Sequence, residues 1–126
     1  MHDLTLQRIP FTIDADNRLR AIKSRTGITP NILCRIGFCL SLEEFGVPSL
    51  ISDDTEIGRE INRYTLVGKY DMLFIVLIKT WLSKMDIDFS QLDDMFIAHM
   101  NRGAEIVASR VKSIGDIAGM PTYNSF

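Results

Sequence analysis

At 126 residues the chain holds one domain and has no room for two of ordinary size. Hydrophobic residues make up 46% and charged residues 24%, a globular balance that excludes disorder and fibrous repeats. The formal net charge of −2 excludes a histone-like polycation, and the longest apolar run, Met72 to Ile78, falls far short of the roughly 20 residues a membrane span needs.

The elements predict a mainly α, small helical domain. Leu4 and Leu6, then Ile9, Phe11 and Ile13, sit at alternate positions with a one-residue slip between the groups. That is a short strand, and Pro10 demands an edge or a bulge because it lacks an N–H. Asp14 or Asp16 is expected to cap a helix running to about Thr26, with Leu19 and Ile22 inward and Gly27 as the stop. Thr29-Pro30 restarts a second helix to about Glu44, striped by Ile32, Leu33, Ile36, Cys39 and Leu40. Gly37 beside that stripe allows another backbone to approach closely.

Residues 46–60 read as an acidic loop, and Ile61 to Val67 as extended. A third helix runs from near Lys69 to near Lys84. Tyr70, Leu73, Phe74, Leu77, Ile78 and Trp81 form one face, while Met72, Ile75, Val76 and Leu82 cover much of the rest. A helix apolar nearly all round points to a subunit interface in so small a chain. Asp88 or Ser90 caps a fourth helix that Gly103 is expected to break. A tail follows at about 119–126, so residues 1–126 form a single domain. No secretory segment opens the chain, and a cytoplasmic setting is expected.

Enzyme motifs are scarce. Gly115-Asp-Ile-Ala-Gly119 has the wrong spacing for a phosphate loop. Cys34 and Cys39, five apart on one helix, diverge by about 140° and suit neither a shared metal nor a disulfide. They read as packing residues, with a redox or sulfur-relay thiol as the alternative. His99 reads as a core or interface histidine, and His2 lies at the terminus. No cofactor, no metal and no catalytic set is expected.

The charges alternate in blocks. Residues 1–42 carry a net +3, residues 43–60 a net −5 and residues 61–84 a net +3. Such a polarised chain presents a basic N-terminal block to an anion, and a nucleic-acid backbone is the commonest large one. The element order of strand, basic helix, glycine turn and apolar helix is that of a ribbon-helix-helix unit, followed here by two further helices. In that design strands of two chains pair. With Pro10 in the strand, and only Thr5, Gln7 and Thr12 to read bases, backbone recognition fits better than sequence readout.

The run Arg25-Thr-Gly-Ile-Thr-Pro-Asn-Ile-Leu-Cys-Arg-Ile-Gly-Phe-Cys-Leu-Ser-Leu-Glu-Glu44 resembles the DNA sulfur modification protein DndE family. So do Gly58-Arg-Glu-Ile-Asn-Arg-Tyr-Thr-Leu-Val-Gly-Lys-Tyr-Asp71 and His99-Met-Asn-Arg-Gly103, in the family's order over residues 8 to 118. The resemblance implies a part in bacterial DNA phosphorothioation, where sulfur replaces a non-bridging phosphate oxygen. It implies a small accessory subunit rather than the sulfur-transfer enzyme, associated with nicked double-stranded DNA and with homo-oligomers, notably tetramers. The partners it implies are a cysteine desulfurase, a sulfurtransferase-like iron–sulfur protein and an ATPase.

Arg18, Arg20, Lys23, Arg25 and Arg35 are the expected phosphate contacts, with Arg8 in support. Their alternative partners are the acids of residues 53–60. Arg63, Tyr64, Asn101 and Arg102 are candidates for protein contacts or for internal hydrogen bonds. A protein–protein adaptor that does not touch DNA is the alternative function.

Overall fold

A computed structural model describes residues 3–111. His2, Lys112, Gly115–Gly119 and the expected tail lie outside the described residues. The fold is mainly α, with a two-stranded antiparallel sheet near its start. Strand β1 (Arg8–Thr12) leads directly into helix α1 (Ile13–Thr26), and α2 (Pro30–Glu43) follows after a short turn. Then come β2 (Ile57–Asn62), the short α3 (Arg63–Val67), α4 (Asp71–Met85) and α5 (Leu92–Arg110).

The cap of α1 is Thr12, not Asp14 or Asp16. Its Oγ1 accepts from the Ala15 N–H at 3.0 Å, so the helix starts at the end of the strand. Asp16 is thereby left on the buried side of α1. Gly27 stops the helix as expected, donating its N–H to the Lys23 carbonyl. On α2 the buried face is Leu33, Cys34, Gly37, Phe38, Leu40 and Ser41. Ile32 and Cys39 are exposed, because the core lies to one side of the expected stripe.

The expected loop at 46–60 ends in strand β2, and the extended stretch expected to reach Val67 stops at Asn62. The Asn62 Oδ1 accepts from the Tyr64 and Thr65 N–H groups and turns the chain into α3. β2 pairs with β1 of the same chain, with Ile9 opposite Ile61 and Phe11 opposite Arg59. The register slips at Gly58, since Thr12 lies opposite Ile57. A Cβ at Gly58 would stand 3.0 Å from the Asp16 Cβ, so this bulge lets β2 pass closely over α1.

Asn101 closes the other edge of β1. Its side chain donates to the Pro10 carbonyl and accepts from the Thr12 N–H, both at 3.0 Å. The strand that a ribbon-helix-helix dimer would pair between chains is therefore satisfied within one chain. Pro10 costs nothing there, because a side chain stands where a ladder would run.

The core forms where α2 and α5 cross. A Cβ on Gly37 or on Gly103 would run into the other's backbone, so the two helices touch at glycines. Gly103 is thus a contact point inside an unbroken helix, not a break. Phe38 sits beside this crossing, with ring centroids 5.2 Å from Phe74 and 5.0 Å from Phe96. α4 buries Phe74, Ile75, Ile78, Trp81 and Leu82. Its other side leaves Met72, Leu73 and Val76 exposed, at 70%, 52% and 51% of their surface. Among the described residues no helix is long and apolar enough to cross a membrane.

Candidate nucleic-acid interface

Helix α1 carries four of the five expected phosphate contacts, but the core divides them. Leu19 and Ile22 face inward, and at 100° per residue Arg18 and Arg25 flank that buried stripe on one side while Arg20 and Lys23 flank it on the other. All four are exposed. Arg18 donates its Nε to Asp14 at 2.9 Å, one turn back and exposed to water. Its guanidinium pKa is raised, by the hydrogen bond to Asp14 and by that carboxylate's charge.

Arg20 donates its Nε to Asp16 Oδ2 at 3.1 Å, and Arg59 on β2 donates its Nε to Asp16 Oδ1 at 3.0 Å. One carboxylate, only 7% exposed, thus holds two guanidinium groups. The side chains of Lys23 and Arg25 have no hydrogen bond or ion pair among the described residues, and neither has that of the exposed Arg8. These pairings run along α1 and to β2, whereas the acids at 53–60 hold none of the five.

Arg35 is placed apart from this set. Its Nε donates to the Leu66 carbonyl at 2.6 Å and its guanidinium lies 5.6 Å from the Tyr70 ring centre. It fastens α2 to the end of α3. Sequence reasoning missed Arg59 and Ser24, which share the Arg20–Lys23 flank. Arg59 sits in a stretch whose acidity masked it, although a glycine just before an arginine beside a strand was a signal of close approach.

The strand offers little for reading bases. Thr5 is taken by Asp93, which accepts from both its N–H and its hydroxyl. Thr12 caps α1 and is held by Asn101. Arg63 and Arg102 are spent internally as well. Arg63 grips Asp71 through two 2.7 Å bonds and donates to the Leu4 and Leu6 carbonyls. Arg102 donates to Ser41 Oγ, the Ser41 carbonyl and the Gly46 carbonyl. Asn101 belongs to the same internal framework. Tyr64 stays exposed, with the Arg63 guanidinium 5.2 Å from its ring centre.

Of the two thiols and the described imidazole, Cys34 and His99 are buried. Burial pushes the Cys34 thiol up to about 12. Cys39 is exposed rather than a core residue, and its pKa is raised by desolvation and by Glu43. Neither is a ready thiolate. His99 is fully buried, with Nδ1 2.7 Å from Ser41 Oγ and its ring edge-to-face with Trp81 at 4.3 Å. Among the described residues no group of three or more histidines, cysteines and acids is placed to hold a metal.

A search of curated proteins finds no match to this sequence. Solved structures do match. The crystal structure of DndE from Escherichia coli B7A, involved in DNA phosphorothioation modification, superposes with a TM-score of 0.64 at 22% identity, over 81% of this chain and 96% of that one. A DndE mutant with two glycine-to-lysine changes gives 0.60 at 19% identity, over 82% and 98%. These likenesses establish a shared fold. A family model described as DNA sulphur modification protein DndE matches residues 8–114, the same span that contains the sheet, the α2–α5 crossing and the basic helix. The chain belongs to the DndE family of DNA sulphur modification proteins.

Proposed function

We propose that this protein is a non-catalytic, DNA-binding accessory subunit of the DNA phosphorothioation system, acting in the cytoplasm on the backbone of nicked duplex DNA. The observation that carries the reading is the outer surface of α1, where Lys23 and Arg25 stand exposed with no partner among the described residues. They are the first phosphate contacts. Arg18 joins them by exchanging its exposed Asp14 carboxylate for a phosphate, a small cost because surface ion pairs contribute only about 0–1 kcal/mol, and Arg20, 61% exposed, adds its charge while its Nε stays on the buried Asp16. Arg35 contributes through its field and through anchoring α3. Family membership supplies the pathway, and the occupied Thr5 and Thr12 favour backbone contact over base readout.

The apolar outer side of α4 supports homo-oligomerisation, with a tetramer as the assembly proposed. Copies of the α1 surface then act together although each chain carries a net −2. The same exposed side favours a second reading, an adaptor that holds the other sulfur modification proteins without binding DNA.

Binding to nicked and intact duplexes of one sequence, over a salt series, separates the two. The subunit reading expects tighter, salt-sensitive binding to the nicked duplex. Changing Lys23→Gln and Arg25→Gln together should weaken it and flatten the slope of log K against log salt by about 1.8, at roughly 0.9 per phosphate. Absence of binding at low salt, with the oligomer intact, leaves the adaptor.

A further inference from the structure

The flank of α1 that carries Arg20 and Lys23 opens on a cavity of about 300 Å³, lined by Arg20, Lys23, Ser24, Pro30 and Arg59. Three of these five residues are cations. The carboxylate set against them is Asp16, which both arginines share and which is itself turned inward, 7% exposed. Two positive charges therefore stay uncompensated at the cavity wall. The Arg59 Nη2 is buried and has no hydrogen-bond partner, so a phosphate reaches that atom only if the side chain turns; what the cavity wall presents is the charge of a side chain that is 35% exposed. Ser24 adds a hydroxyl. Pro30 opens the 14-residue helix α2, whose first turn no side chain caps, so the positive end of its dipole adds to the same field.

The size and the charge select a ligand. Ligand cavities span about 300–1,000 Å³, so this one takes a small group rather than a nucleoside. A phosphomonoester carries about −1.5 to −2 charges at pH 7, and its oxygens are strong acceptors. A phosphodiester carries one charge and is flanked by sugars on both sides. We infer that the cavity between α1, β2 and the start of α2 is a seat for a terminal phosphate, with Arg20, Lys23, Ser24 and Arg59 as its contacts. Resting on the DNA-backbone reading, the terminal phosphate is that of the 5′ end at a break in one strand.

Two measurements test the seat. The first titrates inorganic phosphate into isotope-labelled protein at constant ionic strength, with chloride as the control. Phosphate should shift the amide resonances of Ser24, Arg59 and the first turn of α2, and chloride should not. The second compares duplexes nicked with a 5′-phosphate and with a 5′-hydroxyl. The phosphorylated nick should bind about fivefold to tenfold tighter, and Lys23→Gln should erase that difference. Arg59→Gln should do the same. Should it fail to fold for want of a partner to Asp16, Lys23→Gln carries the test alone, since Lys23 is exposed and unpaired.

Equal affinity for the two nicks, with no phosphate-specific shifts, overturns the seat and leaves the DNA reading in place. Phosphate-specific shifts without DNA binding at low salt support the seat, assign it to a small soluble phosphomonoester and remove the DNA reading. Shifts that chloride reproduces mark general screening and overturn the seat.

Discussion

His99 shows how one side chain couples the core to pH. Arg102 donates to Ser41 Oγ, so the Ser41 hydroxyl hydrogen is free to go to His99 Nδ1. The other ring nitrogen, Nε2, is buried without a hydrogen-bond partner, so a protonated ring would hold a buried N–H unsatisfied. Burial first, and the Arg102 charge second, lower the His99 pKa from 6.5 to about 3. The unfolded chain therefore takes up a proton below about pH 6.5 that the folded chain refuses until about pH 3. Stability from this group is whole above about 6.5 and is lost on acidification across that window, by a few kcal/mol at most. Urea midpoints measured from pH 7 to pH 4 should fall more steeply in the native protein than in His99→Gln, whatever that variant's stability at neutral pH. Parallel profiles would sink the assignment. His99 as a core residue was legible from its place on an apolar helix side, while its partners Ser41 and Arg102 were not, because Ser41 comes from α2 and meets α5 only in the folded chain.

The α2–α5 crossing is decided at the scale of the element. Each helix places a glycine at the contact, and their backbones meet without side chains between them. Gly37→Ala forces the helices apart against a packed core and should destabilise the fold by about 1–3 kcal/mol or more, read from denaturant unfolding. A neutral result would mean the crossing relaxes freely. That Gly37 marks a close approach was readable from its position beside an apolar stripe. That its counterpart is Gly103 was not, since a mid-helix glycine alone reads as a weak point. On α4 the pattern of apolar residues nearly all round predicted a helix at a subunit interface. The structure gives it a core on one side and an open apolar surface on the other. Met72→Asp with Val76→Asp should leave secondary structure intact and yield a smaller species in light scattering. A species of unchanged size would remove α4 from the assembly, and the exposure of both residues makes misfolding a weak excuse.

At the scale of the whole molecule, the blocks of charge become a polarity of surface and interior. The basic N-terminal block is carried mainly by α1. Yet its five expected residues divide among two flanks of that helix and a structural joint at Leu66. The acidic stretch does not neutralise them. Instead the buried Asp16 organises Arg20 and Arg59 from two elements. The internal framework of Arg63, Asn101 and Arg102 ties the N-terminal strand and the α2 C-terminus to α4 and α5, which holds α1 on a rigid base.

Composition and periodicity by themselves determined a small, mainly α domain that opens with a strand. They also determined a glycine-stopped basic helix, a second helix starting at Thr29-Pro30 and two later helices, the first of them apolar nearly all round. These follow from local spacing, from proline and glycine backbone limits, and from charge counts, all of which a linear chain displays. The resemblance in three ordered segments determined the family. Only the tertiary structure decided that β1 pairs with β2 of the same chain, that Asn101 closes its free edge and that Thr12 caps α1. It alone decided which arginines face outward, and that Arg59 joins Arg20 and Lys23 around a cavity. Those outcomes depend on contacts between residues far apart in the chain, such as Asp16 with Arg59 and Thr12 with Asn101. Side-chain type and spacing do not encode such pairings until the elements meet.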